Sequence, residues 1–158
     1  MKKSPLQKEI RQRRAFDSPQ VEALLNILRT QSVLMGPLSV LFKEYGLSQP
    51  LYNILRILRG AAPEGLCVQE IAARMIAREP DTTRLLDRLE ALGFAQRERS
   101  KQDRRVVRVS ITQAGLEILG ALEEPLQRVH QELLGHLTDA DLASISRLMA
   151  KARQPHMS

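Results

Sequence analysis

Apolar residues recur every three or four positions along most of this chain, which is the spacing that places one apolar stripe along an α-helix. The spacing predicts a long first helix over residues 18–45, with a kink at Gly36-Pro37. It predicts five further helices, at residues 48–60, 67–75, 80–92, 112–137 and 138–152. The predicted capping residues of the first, fifth and sixth helices are Ser18, Thr112 and Thr138.

The apolar spacing shortens to two after the fourth predicted helix, and this alternation is typical of β-strands. Residues 94–99 and 107–111 are the two expected strands of one hairpin, and the polar residues 100–105 are its expected tip. The pattern therefore predicts a mainly α-helical chain with a small β-hairpin.

Length and composition exclude several classes of protein. A chain of 158 residues can form one main domain whose core needs neither disulfides nor metals. One cysteine allows no internal disulfide, three scattered histidines give no zinc cluster, and five aromatic residues without tryptophan argue against a base-stacking surface. No run approaches the roughly 18 apolar residues of a membrane helix, and the charged N-terminus does not resemble a secretory signal. We therefore expect a cytoplasmic protein with no cofactor, no metal site and no membrane contact.

The net charge of +6 is concentrated in two basic segments. Residues 1–14 carry six basic side chains and one acidic one, whereas residues 74–108 carry ten and six. Because the first segment offers little apolar surface to bury, a disordered basic arm is expected over residues 1–17. The second segment places arginine among leucines in a predicted helix and hairpin, and arginine binds phosphate and guanine edges bidentately. This favours nucleic acid as a partner, although solvated arginine faces are common in other proteins.

A short helix, a tight turn, a second helix and a basic hairpin are together the components of a winged helix-turn-helix. In this unit the second helix enters the major groove of DNA, and the hairpin reaches the adjacent minor groove. Thr83 and Arg84 lie on the outward face near the start of the helix, where they can meet base edges, and Arg88 lies one turn later, nearer phosphate. The alternative is that Arg84, Asp87 and Arg88 form ion pairs within one solvated helix face. The basic hairpin favours the DNA-binding interpretation.

Two stretches of the chain resemble signatures of the multiple antibiotic resistance regulator (MarR) family. Residues 83–94 (TRLLDRLEALGF) look like its recognition helix and the exit from that helix. Residues 103–112 (DRRVVRVSIT) are similar to its wing signature Asp-x-Arg-x-x-x-Leu-x-Leu-Thr, with valine and isoleucine replacing the two leucines. The resemblance implies an obligate homodimer that binds a pseudo-palindromic operator, usually as a repressor released by a small ligand or by oxidation. It also implies that Arg104 and Arg105 lie at the wing tip, and that Asp103 braces the wing by pairing with an arginine.

The first turn of the predicted recognition helix departs from the family pattern, which often has serine or threonine there. Pro80 and Asp81 occupy it in this chain. An anionic Asp81 repels phosphate, so its carboxylate either orients an arginine or accepts a hydrogen bond from a cytosine amino group. The residues expected at the DNA are Asp81, Thr83, Arg84, Arg88, Arg104 and Arg105. No residue pattern identifies an effector site.

Cys67 precedes the third predicted helix, where a thiol can have a lowered pKa and react as a thiolate. The chain has no second cysteine to complete a redox pair, so a half-buried capping thiol is the favoured interpretation.

The outer helices carry more leucine, valine and isoleucine than a small core with one hairpin can cover, which predicts that they pair with a second copy of the chain. The expected organisation is an arm at 1–17, a dimerisation helix at 18–47, the winged helix-turn-helix at 48–112 and C-terminal dimerisation helices at 113–158. The sequence contains no Ser/His/Asp arrangement, no glycine-rich phosphate loop and no metal-ligand spacing, so no catalytic residue is expected. We expect a homodimeric DNA-binding repressor, and the alternative is a winged-helix adaptor that binds proteins without specific DNA binding.

Overall fold

The computed structural model describes residues 4–99 and 107–157. The elements within them are α1 (Pro5–Glu9), α2 (Pro19–Glu44), α3 (Gln49–Gly60), α4 (Val68–Arg74), α5 (Thr82–Ala91), β1 (Ala95–Arg99), β2 (Val107–Ile111), α6 (Gln113–Leu134), α7 (Asp139–Arg153) and a short 3₁₀ helix (Gln154–His156). The predicted mainly α-helical winged helix-turn-helix is confirmed, with its elements in the predicted order from α2 onwards.

The core lies where α3, α5, α6 and the hairpin meet. Along α3 the fully buried side chains are those of Leu51, Ile54, Leu55 and Leu58. Leu86 and Leu89 of α5 are buried against the same core, and their spacing of three places both on one side of that helix. The opposite side of α5 therefore remains in solvent.

The hairpin carries a third, single-residue strand that the sequence did not predict. β1 and β2 pair antiparallel, with Ala95 opposite Ile111. Leu66, between α3 and α4, donates to the carbonyl of Val109 at 2.9 Å and accepts from its N–H at 2.8 Å. Gly65 allows this approach, because its φ is +67° and a Cβ there would lie 2.5 Å from the Val109 carbonyl oxygen. A single paired residue shows no alternation, so spacing could not reveal it.

The start of α6 is held tightly against the exit from α5. Thr112 caps α6 as predicted: its hydroxyl accepts the N–H of Gly115 at 3.1 Å and donates to the carbonyl of Gly93 at 2.6 Å. A Cβ on Gly115 would lie 2.3 Å from the carbonyl oxygen of Phe94. Glycine at this position therefore lets α6 start directly beside the hairpin.

Residues 4–17 differ from the predicted disordered arm. Ser4 and Gln7 form a capping box at the start of α1, and the side chain of Leu6 is buried. Glu9 of α1 forms an ion pair of 2.7 Å with Arg29 of α2. The basic composition predicted disorder, but one buried leucine and one ion pair place this short helix in the structure.

α2 also differs from expectation, because it is apolar and long enough to cross a membrane by length and composition alone. It has 26 residues, and its most apolar window has a mean hydropathy of 1.2 and is 6% buried. Polar residues such as Glu22 and Arg29 interrupt its apolar run, so the sequence contains no uninterrupted apolar stretch that would predict this. α2 continues as a helix through Pro37, the position of the predicted kink, and α6 likewise continues through Pro125.

Candidate nucleic-acid interface

The solvent side of α5 presents the residues expected to contact DNA. Its exposed polar side chains are those of Thr83, Arg84, Asp87, Arg88 and Glu90. Its buried side chains are those of Thr82, Leu86 and Leu89. The structure therefore brings Thr83, Arg84 and Arg88 together on one outward face, which we call the α5 face.

Asp81 has a structural role that the sequence analysis did not consider. It is the N-cap of α5, and its Oδ1 accepts the backbone N–H of Arg84 at 2.9 Å. The helix therefore begins at Thr82. This is two residues after Pro80, the start that the sequence predicted because proline is common at the first helical position. The Asp81 carboxylate thus acts on the backbone of Arg84 and fixes the first turn of the α5 face.

Arg97 of β1 joins the hairpin to α5. Its guanidinium lies 2.7 Å from an Asp87 carboxylate oxygen and 2.6 Å from a Glu90 carboxylate oxygen. Partial burial disfavours the charged form of Arg97, but hydrogen bonds to Asp87 and Glu90 outweigh that effect and raise its pKa. The two carboxylates that could repel a phosphate next to α5 are therefore paired with a cation of the hairpin.

The alternative of ion pairs within the α5 face is not found in the structure. Asp87 pairs with Arg97, and within residues 4–99 and 107–157 neither Arg84 nor Arg88 takes part in an ion pair. The exposed guanidinium groups of Arg84 and Arg88 can therefore each offer several N–H donors to an external acceptor.

A side chain of β2 joins the hairpin to the turn before α4. Arg108 of β2 donates from Nη1 to the carbonyl of Gly65 at 2.9 Å, so its side chain holds the hairpin to the turn before α4. Three residues of the expected wing tip, Asp103, Arg104 and Arg105, lie outside the described residues.

α4, the first helix of the helix-turn-helix, begins at a capping box with cysteine in the capping position, as predicted. Cys67 is half-buried, and its N–H donates to Glu70 Oε2 at 2.8 Å. That hydrogen bond is the largest cause of the lowered pKa of Glu70, and the Cys67 side chain adds to it. The bond holds the start of α4 and gives no indication of redox chemistry.

An open groove of about 750 Å³ lies beside the α5 face. Its walls come from the start of α3, through Leu47, Ser48 and Leu51, and from the turn and first half of α5. Arg84 and Arg88 line it, so a small molecule in this groove would contact the same side chains that are expected at the DNA.

Two residues at this interface were not identified from the sequence. Arg97 had a detectable signal, because it lies two positions after the buried Ala95 and so points to the same face of the strand. Asn53 of α3 had no such signal in the sequence. Its side chain binds the turn between α4 and α5, but in the sequence it is one polar residue on an otherwise apolar helix face and belongs to no motif.

Comparison with known proteins identifies relatives over most of the chain. Residues 47–107 match the family model of the MarR family. The HTH-type transcriptional regulator YpoP of Bacillus subtilis strain 168 is 34% identical over 112 residues, which cover 71% of this chain and 77% of that protein.

Solved structures with the same fold include a MarR transcription factor from Planctomyces limnophilus. It is 42% identical, with a TM-score of 0.66, covering 85% of this chain and 98% of that chain. Sco3205, a MarR family transcriptional regulator from Streptomyces coelicolor solved in complex with DNA, is 19% identical, with a TM-score of 0.79 and 92% of each chain covered. The likeness to Sco3205 concerns the fold alone. These relatives are transcriptional regulators and not enzymes, in agreement with the prediction for this chain.

Proposed function

Because this chain belongs to the MarR family of transcriptional regulators, we propose that it is a sequence-specific, double-stranded DNA-binding repressor that acts as a homodimer on a pseudo-palindromic operator. The observation that carries the proposal is the α5 face, on which Arg84 and Arg88 are exposed and, among the described residues, in no ion pair. An adaptor that binds only proteins does not require two such cations on a helix held rigidly by a hairpin.

The proposed division of labour on α5 follows from position along the helix. Thr83 and Arg84 lie in its first turn, where a recognition helix meets base edges, so Arg84 reads a guanine and Thr83 makes a lesser base contact. Arg88, one turn later, contacts phosphate. Asp81 supports this arrangement by capping the helix at Arg84 and makes no base contact.

The wing completes the proposed interface. Arg104 and Arg105 enter or flank the adjacent minor groove, whose negative potential attracts guanidinium groups, and Asp103 braces the tip. The ends of the hairpin that carry this tip are fixed to α5 by Arg97 and to the turn before α4 by Arg108, which supports a rigid wing.

The proposed homodimer is supported by apolar side chains that one protomer leaves exposed. On α2 these are Val21, Leu24, Ile27, Leu28, Val33 and Val40, and on α7 they are Ile145 and Leu148. No residue of α7 is buried within the protomer. We propose that these faces pack against the partner protomer and not against lipid, because Glu22 and Arg29 interrupt the apolar run of α2. We accordingly propose that the protein is cytoplasmic.

We also propose that a small molecule controls DNA binding, as the resemblance to the MarR family implies. The groove beside the α5 face supports it, since a ligand there would contact Arg84 and Arg88 and compete with DNA. Glu79, Asp81 and Asp87 also line the groove, but Asp81 accepts the backbone N–H of Arg84 and Asp87 pairs with Arg97. A small organic anion bound by Arg84 and Arg88 is therefore the class of ligand that we propose. Such a ligand should displace operator DNA and raise the melting temperature of the free protein.

The experiment that tests the proposal selects a duplex from a random pool with the wild-type protein and measures affinities by fluorescence anisotropy. We expect Arg84→Ala to cost about 1–3 kcal/mol on the selected duplex and much less on a scrambled one. Arg88→Ala should weaken both duplexes about equally and reduce the dependence of affinity on salt. Arg128→Ala serves as the matched control, because it removes the same charge from an exposed site on α6.

Two outcomes would contradict parts of the proposal. Failure of the wild-type protein to enrich or bind any duplex would favour the adaptor. Equal losses on both duplexes for Arg84→Ala would assign Arg84 to phosphate and leave DNA binding intact.

A further inference from the structure

The turn between α4 and α5, residues 75–81, is held by a side chain from a third helix. Asn53 of α3 is 7% exposed, and its Oδ1 accepts the backbone N–H of Ile76 at 2.9 Å. Among the hydrogen bonds between described residues, this is the one that joins the turn to an element other than the two helices it connects.

The bond lies at the point where the chain leaves α4. Met75, the C-cap of α4, has an extended backbone with φ −63° and ψ 138°. The next N–H, that of Ile76, therefore lies beyond the helix, whose own carbonyl groups no longer direct it. The Ile76 side chain is 74% exposed, so little packing fixes this residue. The Asn53 amide thus determines the direction in which the turn begins.

The surroundings of Asn53 indicate that its side-chain amide has a specific structural role. Ile54 and Leu55, which follow it in α3, are fully buried apolar residues, and Leu51 before it is also buried. An amide in such a place costs free energy unless it is hydrogen-bonded, and leucine has the same branched set of four side-chain heavy atoms without that cost. Packing alone would therefore be satisfied by leucine, whereas holding the Ile76 N–H requires an oxygen.

We propose that Asn53 is a positioning residue for sequence readout: it fixes the start of the turn, as Asp81 fixes its end, and so sets the orientation of the α5 face. The inference rests on the DNA-binding function proposed above. Base contacts require side chains held within about 0.5 Å of the productive geometry, whereas contacts to phosphate tolerate displacement better. Loss of the Asn53 bond should therefore reduce specific binding more than non-specific binding.

The test compares Asn53→Leu and Asn53→Asp on the selected and the scrambled duplex, with each affinity corrected for the folded fraction. We expect Asn53→Leu to lose at least about tenfold in affinity for the selected duplex and less than about twofold for the scrambled one. Asn53→Asp keeps an acceptor oxygen at the same distance from the backbone, so the ratio of its two affinities should stay within about threefold of the wild-type ratio, although its added charge weakens binding to both duplexes. Ile54→Val, a mild change at the adjacent buried position, is the control and should leave the ratio of the two affinities unchanged.

Three results would overturn the inference while leaving DNA binding by the wild-type protein intact. The first is unchanged specificity in Asn53→Leu, the second is an equal loss of affinity for both duplexes, and the third is failure of Asn53→Asp to restore the ratio of the two affinities.

If Asn53→Leu does not fold, amide hydrogen exchange in the wild-type protein provides the test. The Ile76 N–H should exchange at least about tenfold more slowly than a free amide, and unprotected exchange would refute the bond. A wild-type protein that selects no duplex would instead refute the proposed function.

Discussion

Single side chains determine how the α5 face is presented, and Arg97 is the clearest case. Its fork binds Asp87 and Glu90 at once, and these two carboxylates lie on α5 while Arg97 lies on β1. One half-buried residue thus sets the position of the hairpin relative to the recognition helix and neutralises the acidic groups beside Arg84 and Arg88. Lysine could not do the same, because an ammonium group lacks the planar fork.

We expect Arg97→Ala to lower the free energy of unfolding by about 1 kcal/mol, since it leaves two carboxylates without their cation on a partly exposed surface. Arg97→Lys should recover about half of that loss. Urea unfolding measures both values. Arg99→Ala removes the same charge from an exposed position of the same strand, where no ion pair joins it to the described residues. A loss in Arg99→Ala equal to that in Arg97→Ala would mean that general charge, and not the bridge, stabilises the hairpin.

Three helices of this fold begin at caps in which a carboxylate accepts hydrogen bonds. Glu70 closes the capping box of α4, Asp81 caps α5, and Asp141 closes the capping box of α7. Hydrogen bonds from Cys67 lower the pKa of Glu70, and hydrogen bonds from Thr138 lower the pKa of Asp141. Both helices therefore depend on an ionised carboxylate at the first turn.

Lowering the pH should weaken these caps, and the pKa shifts define the pH range in which this happens. Because the pKa of Glu70 is lower in the folded protein than its ordinary value of 4.5, its contribution is present above that value and is lost as the pH falls through the folded-state pKa. Glu70→Gln keeps an acceptor but does not titrate, so its melting temperature should fall less than that of wild type between pH 6 and pH 3, on the order of a few degrees. Calorimetry measures this, with Glu64→Gln, an exposed residue outside any cap, as the control. An unchanged acid profile in Glu70→Gln would show that the cap does not contribute to acid sensitivity.

The whole molecule has two different surfaces. Among the described residues of the winged helix-turn-helix, most large apolar side chains are buried or half-buried and several cations are exposed, whereas α2 and α7 leave many apolar side chains in solvent. An exposed apolar surface on both terminal helices is typical of an interface between protomers. Two α5 faces related by a two-fold axis would also match the symmetry of a palindromic operator.

Sedimentation should therefore give a mass of about twice 17.9 kDa at micromolar concentration. Leu28→Glu combined with Leu148→Glu should raise the dissociation constant of the dimer at least about 100-fold, because each change places a charge in an apolar contact. Ile76→Glu adds the same charge to an exposed apolar residue outside the terminal helices and should remain dimeric. A stable wild-type monomer would refute the dimer and, with it, the palindromic operator.

The sequence by itself determined the elements from α2 to α7 and three of their caps. Spacings of three and four predicted α2 to α7, alternation predicted the hairpin, and Ser18, Thr112 and Thr138 cap the helices that they were expected to begin. These features could be predicted because each depends on residues within a few positions of one another. The same holds for the outward positions of Thr83, Arg84 and Arg88, which follow from helical periodicity once the buried leucines are known.

Only the tertiary structure decided which distant groups meet. The partners of Arg97, the bond from Asn53 to Ile76, and the pairing of Leu66 with Val109 all join different elements. The ordering of α1 against expectation also depends on a residue of another helix, Arg29. Such contacts depend on the angles and distances at which whole helices pack, and local spacing does not specify these quantities. The chain thus encodes its recognition helix locally, but the orientation of that helix arises from packing.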